Sequence, residues 1–180
     1  MRGFDELHDV LSRQPALPAA TQFVGRRLGL VPPMVDKGAA LNNERVEAWV
    51  ERHGDAPSFN IFNYNEHHPP YAPTPAYRDE WVASDSPALR ERWRDFDPLD
   101  HLPGHTNFTP EELDVLRDLY DASIAYQDER MSELFEALRS RVELDDSLVI
   151  VTADHGEHLG EHEHVGHYWN LYEALLHVPL

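Results

Sequence analysis

SLVIVTADHG, residues 147–156, is a run of apolar and β-branched side chains that stops on a carboxylate, an imidazole and a glycine. An unbroken apolar run of this length predicts a strand buried on both faces in a parallel sheet; a half-exposed strand would alternate. In open α/β sheets, ligands gather outside the carboxyl ends of the strands. Asp154 and His155 therefore stand where chemistry is expected, and Gly156 lets the backbone turn sharply behind them.

Working back from this run, residues 143–146 read as a turn, and before them lies one long amphipathic helix. Thr109-Pro110-Glu111-Glu112 places Thr at the N-cap, Pro at the first helical position and Glu three residues after the cap, which together form a capping box. Leu113, Leu116, Tyr120, Ile124, Met131, Leu134, Phe135 and Leu138 then recur at steps of three or four to about Arg141. Helix, turn and buried strand make half of an α/β unit. Further back, Ser58 to Asn65 (SFNIFNYN) reads as a short strand, with Phe59 and Ile61 on one side. The prolines of EHHPPYAP (residues 66–73) then force the chain out of the sheet. Residues 72–108 read as an irregular excursion with short helices, in which Ser86 before Pro87 is a helix start rather than a nucleophile. Asn42 to Arg52 reads as a helix with Val46, Trp49 and Val50 on one face. Residues 1–40 carry a weak amphipathic pattern and a proline-interrupted stretch, read as loose helix and loop.

The candidate chemistry lies on both sides of the deciding run. Asp154 and His155 can place an oxygen and a nitrogen donor on one divalent cation; the plainer alternative is a carboxylate that caps a turn beside a solvated imidazole. The density of ligand types downstream favours the metal, since His155, His158, His162, His164 and His167 alternate with Glu157, Glu161 and Glu163. Not all can serve one ion, and His162 and Glu163 read as solvated loop. His68 sits at the end of the other expected strand among prolines that fix its backbone. It can meet developing negative charge on a leaving group, or it is a turn histidine packed beside Tyr71.

Composition narrows the partners. Acids outnumber bases by 33 to 15, giving a net charge of −18 over 180 residues, and Lys37 is the sole lysine. Such a surface repels nucleic-acid phosphates and anionic lipid, so neither nucleic acid nor membrane is expected as a partner. It suits a salt-adapted, halophilic cytoplasm, where counterions screen the self-repulsion. No apolar stretch is long enough for a membrane span. Met1 to Glu6 is followed by no signal-type apolar region, so a cytoplasmic setting is expected. There is no cysteine, which excludes disulfides, thiolate metal sites and a cysteine nucleophile within these residues.

Three segments together resemble the sulfatase family of the alkaline-phosphatase-like superfamily. They are FNIFNYNEHHPPYAP (Phe59–Pro73), with His68, Pro70 and Tyr71 on the family's His-x-Pro-Tyr turn; Tyr120–His162, which carries the long helix, the apolar run and Asp-His-Gly-Glu; and GHYWNLYEALLHVPL (Gly166–Leu180). The match is close over residues 58–180 and weak over 1–57, all read as one partial domain. The resemblance implies an α/β fold, part of a three-layer αβα sandwich with a mostly parallel sheet. It implies that Asp154 and His155 hold a divalent cation, calcium first and manganese or zinc as alternatives. It implies that His68 contacts the sulfate or the leaving oxygen, and that His167 stands near the sulfate, where many members have lysine. The implied substrate is a small-molecule or glycan sulfate ester. Phosphodiesterases and phosphonate hydrolases share the scaffold. The family's paired N-terminal acids and its Cys/Ser-x-Pro-x-Arg nucleophile segment have no counterpart upstream of Phe59. The chain therefore reads as an incomplete fragment of a sulfatase-like hydrolase, with a non-catalytic remnant, or a split-gene partner whose nucleophile a second chain supplies, as the alternative. An unrelated histidine-rich metal module is the remaining reading.

Overall fold

The capping box at Thr109 forms as its residue types require. Thr109 Oγ1 accepts from the Glu112 backbone N–H at 3.2 Å, and Glu112 returns a carboxylate to the Thr109 N–H at 2.8 Å. The helix it starts is the longest element in the computed structural model, which describes residues 36–54, 57–83, 86–94, 96, 108–141 and 144–180. In chain order the elements are α1 (Ala39–His53), α2 (Pro75–Trp81), α3 (Pro87–Arg94), α4 (Pro110–Arg139), a 3-10 turn (Leu144–Asp146), β1 (His158–Leu159), a second 3-10 turn (Glu161–Glu163), β2 (Val165–Gly166) and α5 (Glu173–Leu176). The structure expected for residues 1–35 lies outside the described residues.

Helix α4, about 45 Å long at 1.5 Å per residue, is shared by two apolar clusters. Its first half joins Val115, Leu116 and Leu119 to Tyr71, Val82, Trp93 and Phe96, with Leu159 and Val165 of the β1–β2 hairpin packed alongside. Its second half joins Leu134 and Leu138 to Val46 and Val50 of α1. The buried face is wider than the stripe expected: Leu116, Leu134 and Leu138 are buried as expected, Val115, Leu119, Ala122 and Tyr126 join them, and Ile124 is 43% exposed. Elements pack on more than one side of α4, so its inward face is wider than a single three-four repeat.

The expected strands are corrected by the structure. Residues 58–65 and 147–153 form no β-ladder, and among the described residues the sheet consists of β1 and β2 alone, antiparallel, with His158 opposite Gly166 and Leu159 opposite Val165. Leu148 is 87% exposed, Ile150 65% and Phe59 74%, so the apolar run that reads as buried is not. An apolar strand is buried by its neighbours in the sheet, and no described segment lies in a ladder with either stretch. Both segments still end where the sequence placed their function. Tyr64 donates to Asn43 Oδ1 at 2.6 Å, and Asn43 Nδ2 donates to the Arg130 carbonyl at 2.6 Å, which pins the end of 58–65 to α1 and α4. Gly156 N–H donates to the Leu175 carbonyl at 2.8 Å, which docks the other end on α5.

Candidate active site

The two extended segments converge on a small cleft of about 50 Å³ lined by Asn63, Asn65, His68, Tyr120, Asp154, His155 and Glu157, among others. Three histidines from distant parts of the chain meet at its edge. The His155 and His167 rings stack with centroids 4.2 Å apart, and His68 lies 5.1 Å from His167. The four residues expected at the site (His68, Asp154, His155, His167) are thus gathered in one place.

Hydrogen bonding fixes which ring nitrogens are free. His68 Nδ1 lies 2.7 Å from the Pro69 carbonyl, and His155 Nδ1 lies 2.8 Å from the Gly156 carbonyl. A carbonyl only accepts, so each Nδ1 carries its proton, and in the neutral ring each Nε2 is left with a lone pair. The His155 lone pair faces Asp154 Oδ1 at 3.8 Å, and the Asp154 side chain is 91% exposed. Two acceptors facing each other at that separation suit a cation between them. The donor chemistry, one carboxylate and one neutral imidazole, fits the divalent ion the resemblance implies. It supplies only part of a shell: among the described residues no three His, Asp or Glu side chains already converge on one point.

His167 is held by Glu157, whose carboxylate accepts from Nδ1 at 3.1 Å. Glu157 is buried, and burial pushes its carboxyl up to about 7. Burial, together with the nearby His155, holds His167 below the ordinary imidazole value. The lowered His167 value favours its neutral ring.

Sequence reading left Lys37 unplaced and gave Glu157 no particular role. The Lys37 ammonium donates to the His68 carbonyl. Burial lowers its pKa to about 8, against the opposing pull of Glu66 and Glu157. Glu66 is itself buried and accepts from the Lys37 and Ala39 backbone N–H groups at 3.0 Å each, which anchors the start of α1 beside the His68 turn. Lys37 being the sole lysine was a signal in the composition, but nothing local showed where it would be buried. His162 and Glu163 are exposed, as expected. The Tyr71 ring is fully buried among Trp93, Phe96 and Tyr120, so it supports the turn from below, while the His68 ring stays at the surface.

The family profile described as Sulfatase matches residues 39–180. Among curated proteins, arylsulfatase K of Canis lupus familiaris is 35% identical over 88 residues, covering 46% of this chain and 16% of that protein. Arylsulfatase K of Rattus norvegicus is 28% identical over 160 residues, covering 77% of this chain and 28% of the relative. Choline-sulfatase of Rhizobium meliloti is 37% identical over 95 residues, covering 46% and 18%. The chain thus matches no more than 28% of the length of these relatives. No solved structure matches it.

Proposed function

The chain belongs to the sulfatase family, and from that premise we propose that it forms the cation-binding and leaving-group side of a hydrolase acting on sulfate esters of small molecules or glycans. The observation that carries the proposal is the convergence of His68, His155 and His167 on the Asp154 cleft. Asp154 and His155 would hold the divalent cation through Oδ1 and Nε2. Calcium is the choice the family resemblance favours, and the nitrogen donor keeps manganese and zinc in play. Such an ion, when bound, supplies charge stabilisation at the ester oxygens.

The chain's own residues do the rest. Lys37 and the proline turn set the position of the His68 ring, whose Nε2 faces outward to take or give a proton at the leaving oxygen. Glu157 orients His167 through Nδ1, and the ring meets developing negative charge once its Nε2 is protonated. The nucleophile, by this reading, comes from a Cys/Ser-x-Pro-x-Arg segment outside these residues, on the same or a second polypeptide. The exposed apolar run at residues 148–151 supports a larger assembly, because a sheet neighbour laid there would complete the αβα sandwich in which residues 1–180 form one partial domain. A non-catalytic remnant remains the second reading, favoured by the incomplete cation shell. The acidic, lysine-poor composition leads us to place the protein in a salt-adapted cytoplasm. No helix among the described residues is long and apolar enough to cross a membrane.

The test is a histidine NMR titration of the chain with sodium sulfate in the presence of calcium, followed by an aryl sulfate assay. Shifts at His68, His155 and His167 with none at His177, and turnover only after a polypeptide carrying the nucleophile segment is added, support the reading. If those three rings ignore both ions, the assignment of this cleft fails.

A further inference from the structure

A second pair of facing acceptors lies on the β1–β2 hairpin, and it shares no residue with the cleft. His158 is fully buried. Its Nε2 lies 3.0 Å from Asn170 Oδ1. That atom also accepts from the Tyr172 backbone N–H at 3.1 Å, while Asn170 Nδ2 donates to the Tyr168 carbonyl at 3.2 Å. A backbone N–H can only donate, so the Asn170 amide has one possible orientation, and His158 Nε2 must be the protonated nitrogen. The neutral ring therefore keeps its lone pair on Nδ1. That nitrogen is buried and has no hydrogen-bond partner. Facing it at 3.9 Å is Glu161 Oε2, which already accepts from the Leu159 N–H at 2.7 Å. A buried lone pair facing a carboxylate is unfavourable unless something positive lies between them. The separation repeats the 3.8 Å between His155 Nε2 and Asp154 Oδ1.

Further imidazoles stand close by. The His164 ring is centred 5.3 Å from that of His158, and the His162 ring 6.3 Å away, stacked on Tyr172. Two ligand atoms about 2.0–2.2 Å from a tetrahedral ion are roughly 3.3–3.6 Å apart, so the gap closes to that spacing when the exposed Glu161 side chain moves in by a few tenths of an ångström. We propose that the hairpin is a second, separate cation site for a borderline divalent ion of the zinc class, with His158 Nδ1 and Glu161 as preset ligands, Asn170 fixing the tautomer and His164 turning in as the third ligand. His164 has to turn because three donors do not yet converge there. Imidazole-rich donor sets favour zinc-class ions over calcium, so the two sites select different ions.

The test uses the full chain and zinc alone as probe, read by calorimetry and by histidine nitrogen chemical shifts. Removing a ligand, or the residue that fixes a ligand's tautomer, weakens binding by about tenfold or more. The His155→Gln variant disables the first site, and in it zinc is expected still to shift His158 Nδ1. Glu161→Gln combined with His164→Gln, both surface changes whose folding circular dichroism checks, is expected to weaken that binding at least about tenfold. Asn170→Ala is expected to weaken it, and Asn170→Asp, which keeps the acceptor, to restore it. Zinc shifts confined to His155 and His167 would overturn the proposal. So would a His158 ring doubly protonated near neutral pH before metal is added, since a proton would then occupy the gap. Either result leaves the sulfatase-like cleft untouched, so failure here is distinguishable from failure of that reading.

Discussion

Lys37 and Glu157 are charged groups buried beside each other's field, and their displaced titrations give opposite slopes to stability. Lys37 falls from an ordinary 10.5 to about 8 in the folded chain. Between those values the unfolded chain binds the extra proton, so stability rises as pH rises from 8 to 10.5. Glu157 moves from an ordinary 4.5 up to about 7. There the folded chain binds the extra proton, so stability falls as pH rises from 4.5 to 7. A urea midpoint measured from acid to alkaline pH should therefore pass through a minimum between the two windows. Lys37→Met should flatten the alkaline limb and Glu157→Gln the acid limb, each leaving the other in place. Acylation of Lys37, the only lysine, read on its own peptide to separate it from the α-amine that titrates at about the same pH, is expected to reach half-maximal reactivity near pH 8. Neither residue's role was legible in the sequence. His68, Asp154 and His155 were singled out because prolines or an apolar run stand next to them, and they line one cleft. The significance of Lys37 and Glu157 comes from burial created by partners far along the chain.

Among the elements, what was local was legible. The α4 start was fixed by four residues and formed as read, and Thr109→Ala should cost about 1 kcal/mol in chemical denaturation through loss of the cap. Helix α1 was found by its Val46 and Val50 spacing, and it begins three residues earlier than expected because Asp36 accepts from the Gly38 and Ala40 N–H groups at 2.9 Å each. The run at residues 147–153 was misread as buried because burial of a strand is a property of its neighbours, not of its own side chains. The turn that follows it is tightly specified. A Cβ on Gly156 would stand 2.0 Å from the Ala174 carbonyl oxygen, which is backbone and cannot move aside easily. Gly156→Ala should therefore destabilise the chain by about 2 kcal/mol or more and displace Asp154 and His155. Loss of calcium-induced shifts at His155 in that variant would confirm the link, while unchanged shifts and stability would refute it. Gly160 is a second constraint, with φ of +115° and Leu113 beneath it, which seats the hairpin on α4.

For the whole molecule, a net charge of −18 opposes compaction over distances that salt shortens. The Debye length falls from about 10 Å in 0.1 M salt to about 3 Å in 1 M. Raising potassium chloride over that range should lift the thermal midpoint by about 3 °C or more, roughly 1 kcal/mol for a chain of this size. A flat response would argue against the salt-adapted setting. The two apolar clusters along α4 have a dynamic consequence. They share little besides that helix, so each can open with its own free energy, and amide exchange should resolve two protection levels along a single rod. The body of α1 belongs to one cluster, yet Asp36 and Lys37, just before its first turn, hold the His68 turn and Tyr126. An excursion that begins at Leu134 and Leu138, remote from any chemistry, would therefore loosen the grip on His68, and breathing at the far end of the helix would set how long the cleft stays assembled.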